Sequence, residues 1–464
     1  MSQKYDFGLI GLGVMGRNFI LNVLDKGFSA SGMDLDQEKS KALQEEAAGM
    51  NVFSTTDLGE FTNSLSVPRK IMLLVPAGAP VDSVIKDLEP LLDKGDLIID
   101  GGNSFYEDTD RREKELEKKG IHFIGAGVSG GAKGARFGPS IMPGGKKEAY
   151  DLIRPVFESV SAKVDKSPCV DYMGSGSAGN YVKMVHNGIE YGLMQLISEI
   201  YDIMKRGVDL SNRAIGYTFT DWTEGKLQSF LVEITSEIFQ KKDEITKNSL
   251  VDMILDKARQ KGTGRWTSQN AMDLGVPIPA IDAAVSMRQL SGLKTLRVKA
   301  ADIYSNKESN TTEIELGDLE NALYFGFLIT YAQGMSQLTT ASSEYNYGLN
   351  MESIARIWRG GCIIRAALLE DLREIYESNN NLPNLLLDDQ FAAKLNNCAL
   401  SARKVVQFAV GKEIPVMSLS ACLAYFDAFK SERLPSNLIQ AQRDHFGSHT
   451  YERIDKEGIF HSEW

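Results

Sequence analysis

The sequence predicts an open α/β sheet, largely parallel and doubly wound, followed by a large all-helical domain and an extended C-terminal tail. Three observations carry this. Residues 1–177 alternate short apolar runs with amphipathic stretches, the pattern of strands joined by helical crossovers. From 178 to 436 helical periodicity dominates, as in "YGLMQLISEIYDIMKRG" and "NALYFGFLITYAQGMSQL", and strand-like alternation is scarce. Residues 437–464, beyond Leu434-Pro435, turn polar and aromatic, the composition of a segment that either frays or docks.

In chain order, "YDFGLIGL", "SASGMDL", "KIMLLV", "DLIIDGG" and "IHFIGAGV" read as strands, with helical segments such as 16–26 and 81–93 between them. In the helical domain the stretches from Tyr191 and Tyr331 share a faint Tyr…Met-x-x-Leu texture, as a duplicated unit would give. The 464 residues carry a net charge of −11, which argues against a nucleic-acid binder or an anionic-membrane binder. Any anionic ligand must therefore meet cations gathered locally. The four cysteines, Cys169, Cys362, Cys398 and Cys422, lie far apart and read as reduced thiols. With no signal-peptide pattern and no apolar run of membrane-spanning length, a cytoplasmic location is expected.

Gly11-Leu12-Gly13-Val14-Met15-Gly16 follows the first strand and opens a helix. Glycines at this spacing permit a tight turn, close backbone approach to a pyrophosphate, and close helix–strand packing. The second strand ends in an acid, Asp34, 21 residues after Gly13. This context makes residues 1–177 a Rossmann-like dinucleotide domain. The glycine-rich stretch "GVSGGAKGARFGPSIMPGG" (127–145) is too apolar for a linker and reads as a ligand loop. There Ser129, Gly130 and Gly131 offer N–H groups and a hydroxyl, and Asn103 in "DGGNSFYED" sits in a similar loop. Both loops belong beyond the strand carboxyl ends, where open α/β sheets bind ligands.

In "YVKMVHNGIE", Lys183, His186, Asn187 and Glu190 fall at i, i+3, i+4 and i+7, on one helical face. A polar stripe flanked by apolar residues is either solvated or lines a cleft.

Several blocks together resemble the 6-phosphogluconate dehydrogenase family, the decarboxylating enzymes of the pentose phosphate pathway within the β-hydroxyacid dehydrogenase group. They are the 11–16 fingerprint, "IIDGGNS" (98–104), "GVSGG" (127–131), "GPSIMPGG" (138–145), "KMVHNGIEYG" (183–192), "KGTGRWTSQ" (261–269), "WRGGCIIR" (358–365), "NLLLDD" (384–389) and "NLIQAQRDHFGSHTYERID" (437–455). The resemblance implies oxidation of 6-phospho-D-gluconate at C3, loss of CO2, and protonation at C1 to give D-ribulose 5-phosphate. It implies Lys183 as general base and Glu190 as the acid at C1. Asn103, Ser129, Gly130, Gly131, His186 and Asn187 would hold the sugar acid. Tyr191, Lys261, Thr263, Arg288 and, from a partner subunit, Arg443 and His449 would hold the phosphate. Taken alone, Arg288 reads as a surface arginine and His449 as structural. The cofactor would meet Gly11–Gly16, Asp34, Val75, Ala77 and Asn103. The resemblance also implies a homodimer whose tails complete the neighbouring site, and no metal.

Three departures from the family pattern stand out. Asp34-Leu35-Asp36 replaces the usual Asn-Arg-Ser or Asn-Arg-Thr, Val75-Pro76-Ala77-Gly78 replaces Val-Lys-Ala-Gly, and Ala132-Lys133 replaces acidic residues after the SGG. A carboxylate at 34, with Leu35 and Pro76 in place of the usual cations, predicts that NAD is favoured over NADP; the alternative is that Asp34 points away and Arg17 or Lys39 holds the 2′-phosphate. Two alternatives stay open from the sequence: a β-hydroxyacid dehydrogenase for a small unphosphorylated acid, and a dinucleotide sensor without catalysis.

Overall fold

The computed structural model describes residues 4–304 and 313–464. Its first half runs β1 (Phe7–Ile10), α1 (Val14–Asp25), β2 (Ala30–Met33), α2 (Gln37–Glu46), β3 (Val52–Thr55), α3 (Leu58–Ser64), β4 (Lys70–Leu73), α4 (Ala79–Leu88), β5 (Leu97–Asp100), α5 (Tyr106–Glu117), β6 (His122–Ser129), α6 (Gly131–Phe137), β7 (Ser140–Gly145) and α7 (Lys147–Val160). The seven strands form one sheet in the order β3-β2-β1-β4-β5-β6-β7. All neighbours are parallel except β7, which runs antiparallel to β6 with Ser129 opposite Ser140.

The strands are apolar on both faces because helices cover both. Phe7 and Leu9 of β1 pack with Phe19 of α1 and Phe157 of α7, whereas Ile10 joins Phe61, Val81 and Ile85 on the opposite side. The parallel strands therefore send the turns after β1, β2, β4, β5 and β6 to a single edge. Gly16 shows why the first turn is glycine-rich: a Cβ there would run into the carbonyl oxygen of Gly11, so α1 could not sit so close to β1.

The glycine-rich stretch 127–145 is more ordered than a ligand loop. It is the end of β6, the short α6, and all of β7. Its glycines and Pro143 hid the strand. They are tolerated because β7 is the last strand of the sheet and its outer side is joined to residues 169–174 only through isolated bridges, Ile141 with Val170 and Gly144 with Gly174.

After the sheet comes α8 (Ala178–Asp202), the first of the helices that build the second half. Its tightest neighbour in the helical core is the helix Leu316–Glu344. The two approach through small residues, with Gly192 against Thr330, Gly326 against Leu196 and Gly334 against Ile189. The tail is a helix, Ser436–Gly447, followed by an antiparallel pair, Tyr451–Glu452 with Ile459–Phe460. Among the described residues no helix is long and apolar enough to cross a membrane.

Candidate active site

The polar stripe on α8 is buried. Lys183 is 6% exposed, His186 0% and Asn187 7%. The reason lies in β6, where a Cβ on Gly127 would collide with the Lys183 side chain. The missing side chain lets α8 lie directly on the sheet and carries its polar face to the carboxyl end of β6.

There the groups meet. Lys183 Nζ donates to Asn187 Oδ1 at 2.7 Å and lies 3.2 Å from His186 Nδ1. His186 Nε2 is 3.1 Å from Ser129 Oγ, and that oxygen accepts from the backbone N–H of Ile363 at 3.4 Å. Glu190 Oε2 is 4.0 Å from His186 Nδ1 and its side chain is 23% exposed, so it stands at the mouth of the cluster. Burial pushes the Lys183 ammonium below the usual lysine range, with Glu190 pulling it back. Burial, and then the Lys183 charge, hold His186 well below its ordinary value and so neutral. Burial raises the Glu190 carboxyl, opposed by Lys183 and Arg288. An amine eased toward its free base and a carboxyl eased toward its acid thus share one face. Seven residues separate them, ~10 Å of helix.

A second cluster adjoins it. The Arg288 guanidinium stacks 3.4 Å from the Tyr191 ring centre. The other neighbour of that ring is Gly264, where a Cβ would come within 2.5 Å of it. Thr263 therefore opens its helix beside Tyr191, with the exposed Lys261 two residues earlier. Gly130 is half-buried, while Gly131 and Asn103 are exposed at the same sheet edge as Ser129. Arg443 and His449 do not join this cluster. They are exposed on the tail, and among the described residues no hydrogen bond or ion pair links them to it.

On the nucleotide side, α1 starts behind Gly13 with no side-chain cap. Its first N–H groups are left for an anion, so the residues present fit a pyrophosphate. Leu12 and Gly16 are buried, Gly11, Gly13, Met15 and Val75 half-buried, and Val14 and Ala77 exposed. Beneath the loops a buried guanidinium does the tying. Arg112 reaches Asp82 at 2.8 Å, the Gly78 carbonyl at 3.1 Å and Asp100 at 3.2 Å, joining the ends of β4 and β5.

Sequence reasoning assigned no role to Arg112, nor to the 358–363 segment. Trp358 packs edge-on against His186, 5.6 Å between ring centres, and Ile363 supplies the N–H on Ser129. The available signal was Gly360-Gly361 beside a tryptophan in otherwise helical sequence.

A doubly wound sheet with an uncapped glycine turn, facing a buried lysine and a carboxyl on a packed helix, defines a dinucleotide-dependent dehydrogenase. The chain matches two family models: the NAD binding domain of 6-phosphogluconate dehydrogenase over residues 6–174, and the 6-phosphogluconate dehydrogenase C-terminal domain over 179–464. It belongs to the 6-phosphogluconate dehydrogenase family. The NADP(+)-dependent, decarboxylating 6-phosphogluconate dehydrogenase of Bacillus subtilis is 52% identical, with 100% of this chain and 99% of that protein covered. The decarboxylating enzyme of Escherichia coli K12 is 49% identical, with 100% and 99% covered. The solved Plasmodium falciparum 6-phosphogluconate dehydrogenase, described in apo form and in complex with its cofactor NADP+ and its substrate 6-phosphogluconate, superposes with a TM-score of 0.96. It is 46% identical, with 99% of this chain and 100% of that one covered.

These relatives correct the expectation that NAD is favoured, since the Bacillus enzyme is NADP(+)-dependent and the Plasmodium enzyme was solved with NADP+. The local structure supplies a physical reason. Asp34 is not a free anion awaiting ribose hydroxyls: Oδ2 accepts from Leu12 N–H at 2.8 Å and Oδ1 from Asp36 N–H at 3.0 Å. Lys39 Nζ lies 3.3 Å from the same carboxylate and offsets its charge. Leu35, which stands where the family pattern has arginine, is 87% exposed.

Proposed function

We propose that this chain oxidises and decarboxylates 6-phospho-D-gluconate to D-ribulose 5-phosphate and CO2, with NADP as hydride acceptor. The observation that carries the reading is the buried Lys183 beside Ser129, His186 and Asn187 at the carboxyl edge of a dinucleotide sheet. When bound, the nicotinamide supplies the hydride acceptor at C3. Lys183, held toward its neutral form, takes the proton of the 3-hydroxyl. The carbonyl formed at C3 lies β to the carboxylate, so the C1–C2 bond breaks without a metal, and hydrogen bonds to the developing enediolate suffice. Lys183, now protonated, can donate to that oxygen. Glu190, held toward its acid form, delivers a proton to the carbon that lost the carboxylate, C2 of the substrate and C1 of the product. His186, Asn187, Ser129, Gly130, Gly131 and Asn103 orient the hydroxyls and carboxylate. Tyr191, Lys261, Thr263 and Arg288 take the phosphate, for which an arginine fork suits two oxygens at once. Purified protein should reduce NADP only when 6-phosphogluconate is present, releasing one CO2 per NADPH. Absence of 6-phosphogluconate-dependent reduction with NADP and NAD alike would overturn the assignment.

We further propose a homodimer in which Arg443 and His449 complete the neighbour's phosphate site. The tail supports this by exposing large apolar side chains, among them Leu438, Ile439, Phe446 and Trp464. A chain carrying Arg443→Ala and His449→Ala and a chain carrying Lys183→Met should each be inactive alone. Mixed after dissociation and reassembly, they should regain activity. In each mixed dimer one site combines an intact Lys183 with an intact tail. Failure to regain activity, with mixed dimers verified by mass, would exclude the shared site.

A further inference from the structure

The tail has an unusual interior. In the helix Ser436–Gly447 the buried side chain is a carboxylate, Asp444, and the apolar residues Leu438, Ile439 and Phe446 face outward. Asp444 is fully buried among donors from the rest of the tail. Oδ1 accepts from Thr450 N–H at 2.9 Å and lies 2.8 Å from His461 Nδ1. Oδ2 accepts from Ser462 N–H at 3.1 Å and from the Trp464 indole N–H at 3.0 Å. Its own carbonyl oxygen accepts from Ser448 N–H at 2.8 Å. Burial alone would raise this carboxyl, but the bonds from His461, Ser462, Trp464 and Thr450 outweigh it and hold it down to about 2.

The hub grips the residues around His449. Ser448 and Thr450 both take left-handed backbone conformations, φ 49° and 61°, which non-glycine residues adopt only when something holds them. Both are tied to Asp444, one through its main chain and one through its side chain. Between them the His449 ring is fixed over Gly447, 2.7 Å from where a Cβ would stand, and edge-on to Phe446. Arg443 is the residue just before the hub, and Gln440 links it to the same loop through Thr450.

We infer that Asp444 is a positioning residue: it folds the tail as a preformed unit and so sets Arg443 and His449 in the geometry that a phosphate-bearing substrate requires. This rests on the proposed role of those two residues at the phosphate. A carboxylate is needed because four donors converge on two oxygens. An amide has one acceptor oxygen and would turn N–H groups toward N–H groups.

The test uses the full-length enzyme, four single variants and one double variant. Arg443→Ala and His449→Ala should each raise KM for 6-phosphogluconate. Asp444→Asn should raise it by roughly tenfold or more, with kcat and the KM for NADP within about threefold of normal. In a chain already carrying Arg443→Ala, Asp444→Asn should raise KM by a smaller factor than it does in the wild-type chain, since it acts in part through Arg443. Trp464→Phe, which removes one donor and keeps an aromatic ring, should shift the same KM less. An unchanged KM in Asp444→Asn, alongside raised values in Arg443→Ala and His449→Ala, overturns the positioning role alone. Equal loss of kcat and melting temperature without a KM effect also overturns it, leaving a stability role. Unchanged KM in both Arg443→Ala and His449→Ala overturns the phosphate reading, and this proposal with it.

Discussion

Lys183→Met should abolish hydride transfer while leaving the fold and cofactor affinity near wild type. Methionine matches the length of the buried stem, and removing an ammonium from an interior site is close to neutral for stability when the remaining groups stay paired. They do stay paired here, since His186 Nδ1 lies 3.2 Å from Asn187 Oδ1 and its Nε2 remains beside Ser129. The loss falls on the chemistry. A positioned base contributes ~10²–10⁴-fold, and no other group adjoining the cluster can replace it, because His186 already engages both nitrogens. Single-turnover absorbance of the reduced nicotinamide measures the step directly. Lys183→Arg is the companion control, retaining charge but not basicity. Rapid NADPH formation by either variant would remove Lys183 from the role of base.

Glu190→Gln should lower kcat by ~10²-fold or more and reshape the pH profile. The signs follow from the local charges. Burial lowers Lys183, and the Glu190 carboxylate partly restores it. Removing that carboxylate lowers Lys183 further, so the acid limb of kcat/KM should move to lower pH. Burial raises Glu190, whose acid form is lost as pH rises through its own pKa. The alkaline limb due to that proton loss should vanish in the amide. Solvent-tritium incorporation at C1 should fall in parallel. A profile with both limbs unmoved, or unaltered tritium incorporation, would show that Glu190 is not the C1 acid.

Much of the architecture was legible because its signals are local. Phe7, Leu9 and Ile10 in one short run, and the glycines at 11, 13 and 16 after it, announce a buried strand and a phosphate turn from neighbouring residues alone. β3 went unread because "VFST" is short and only Ser54 in it is buried, so no apolar run marks it. β7 went unread because proline and glycine are loop residues by composition, yet are admissible in the last strand of the sheet, whose outer side carries only isolated bridges. The cofactor expectation failed for a related reason. Asp34 and Leu35 were read as a linear pattern, whereas the partners of Asp34 are Leu12 behind it and Lys39 a helical turn into α2.

The sequence by itself determined which residues share a face. Lys183, His186, Asn187 and Glu190 align through the 3.6-residue period, whatever lies opposite. Only the tertiary structure decided that this face is buried. That depends on Gly127 admitting α8 onto the sheet, and on Trp358 and Ile363 closing over His186 and Ser129 from much later in the chain. Likewise, Asp444 reads as one more charged residue in a polar tail until His461, Ser462 and Trp464 fold back onto it. Periodicity is a property of the covalent chain and survives in any environment. Desolvation, and the pKa shifts and hydrogen-bond demands it creates, exists only once distant segments have excluded the water between them.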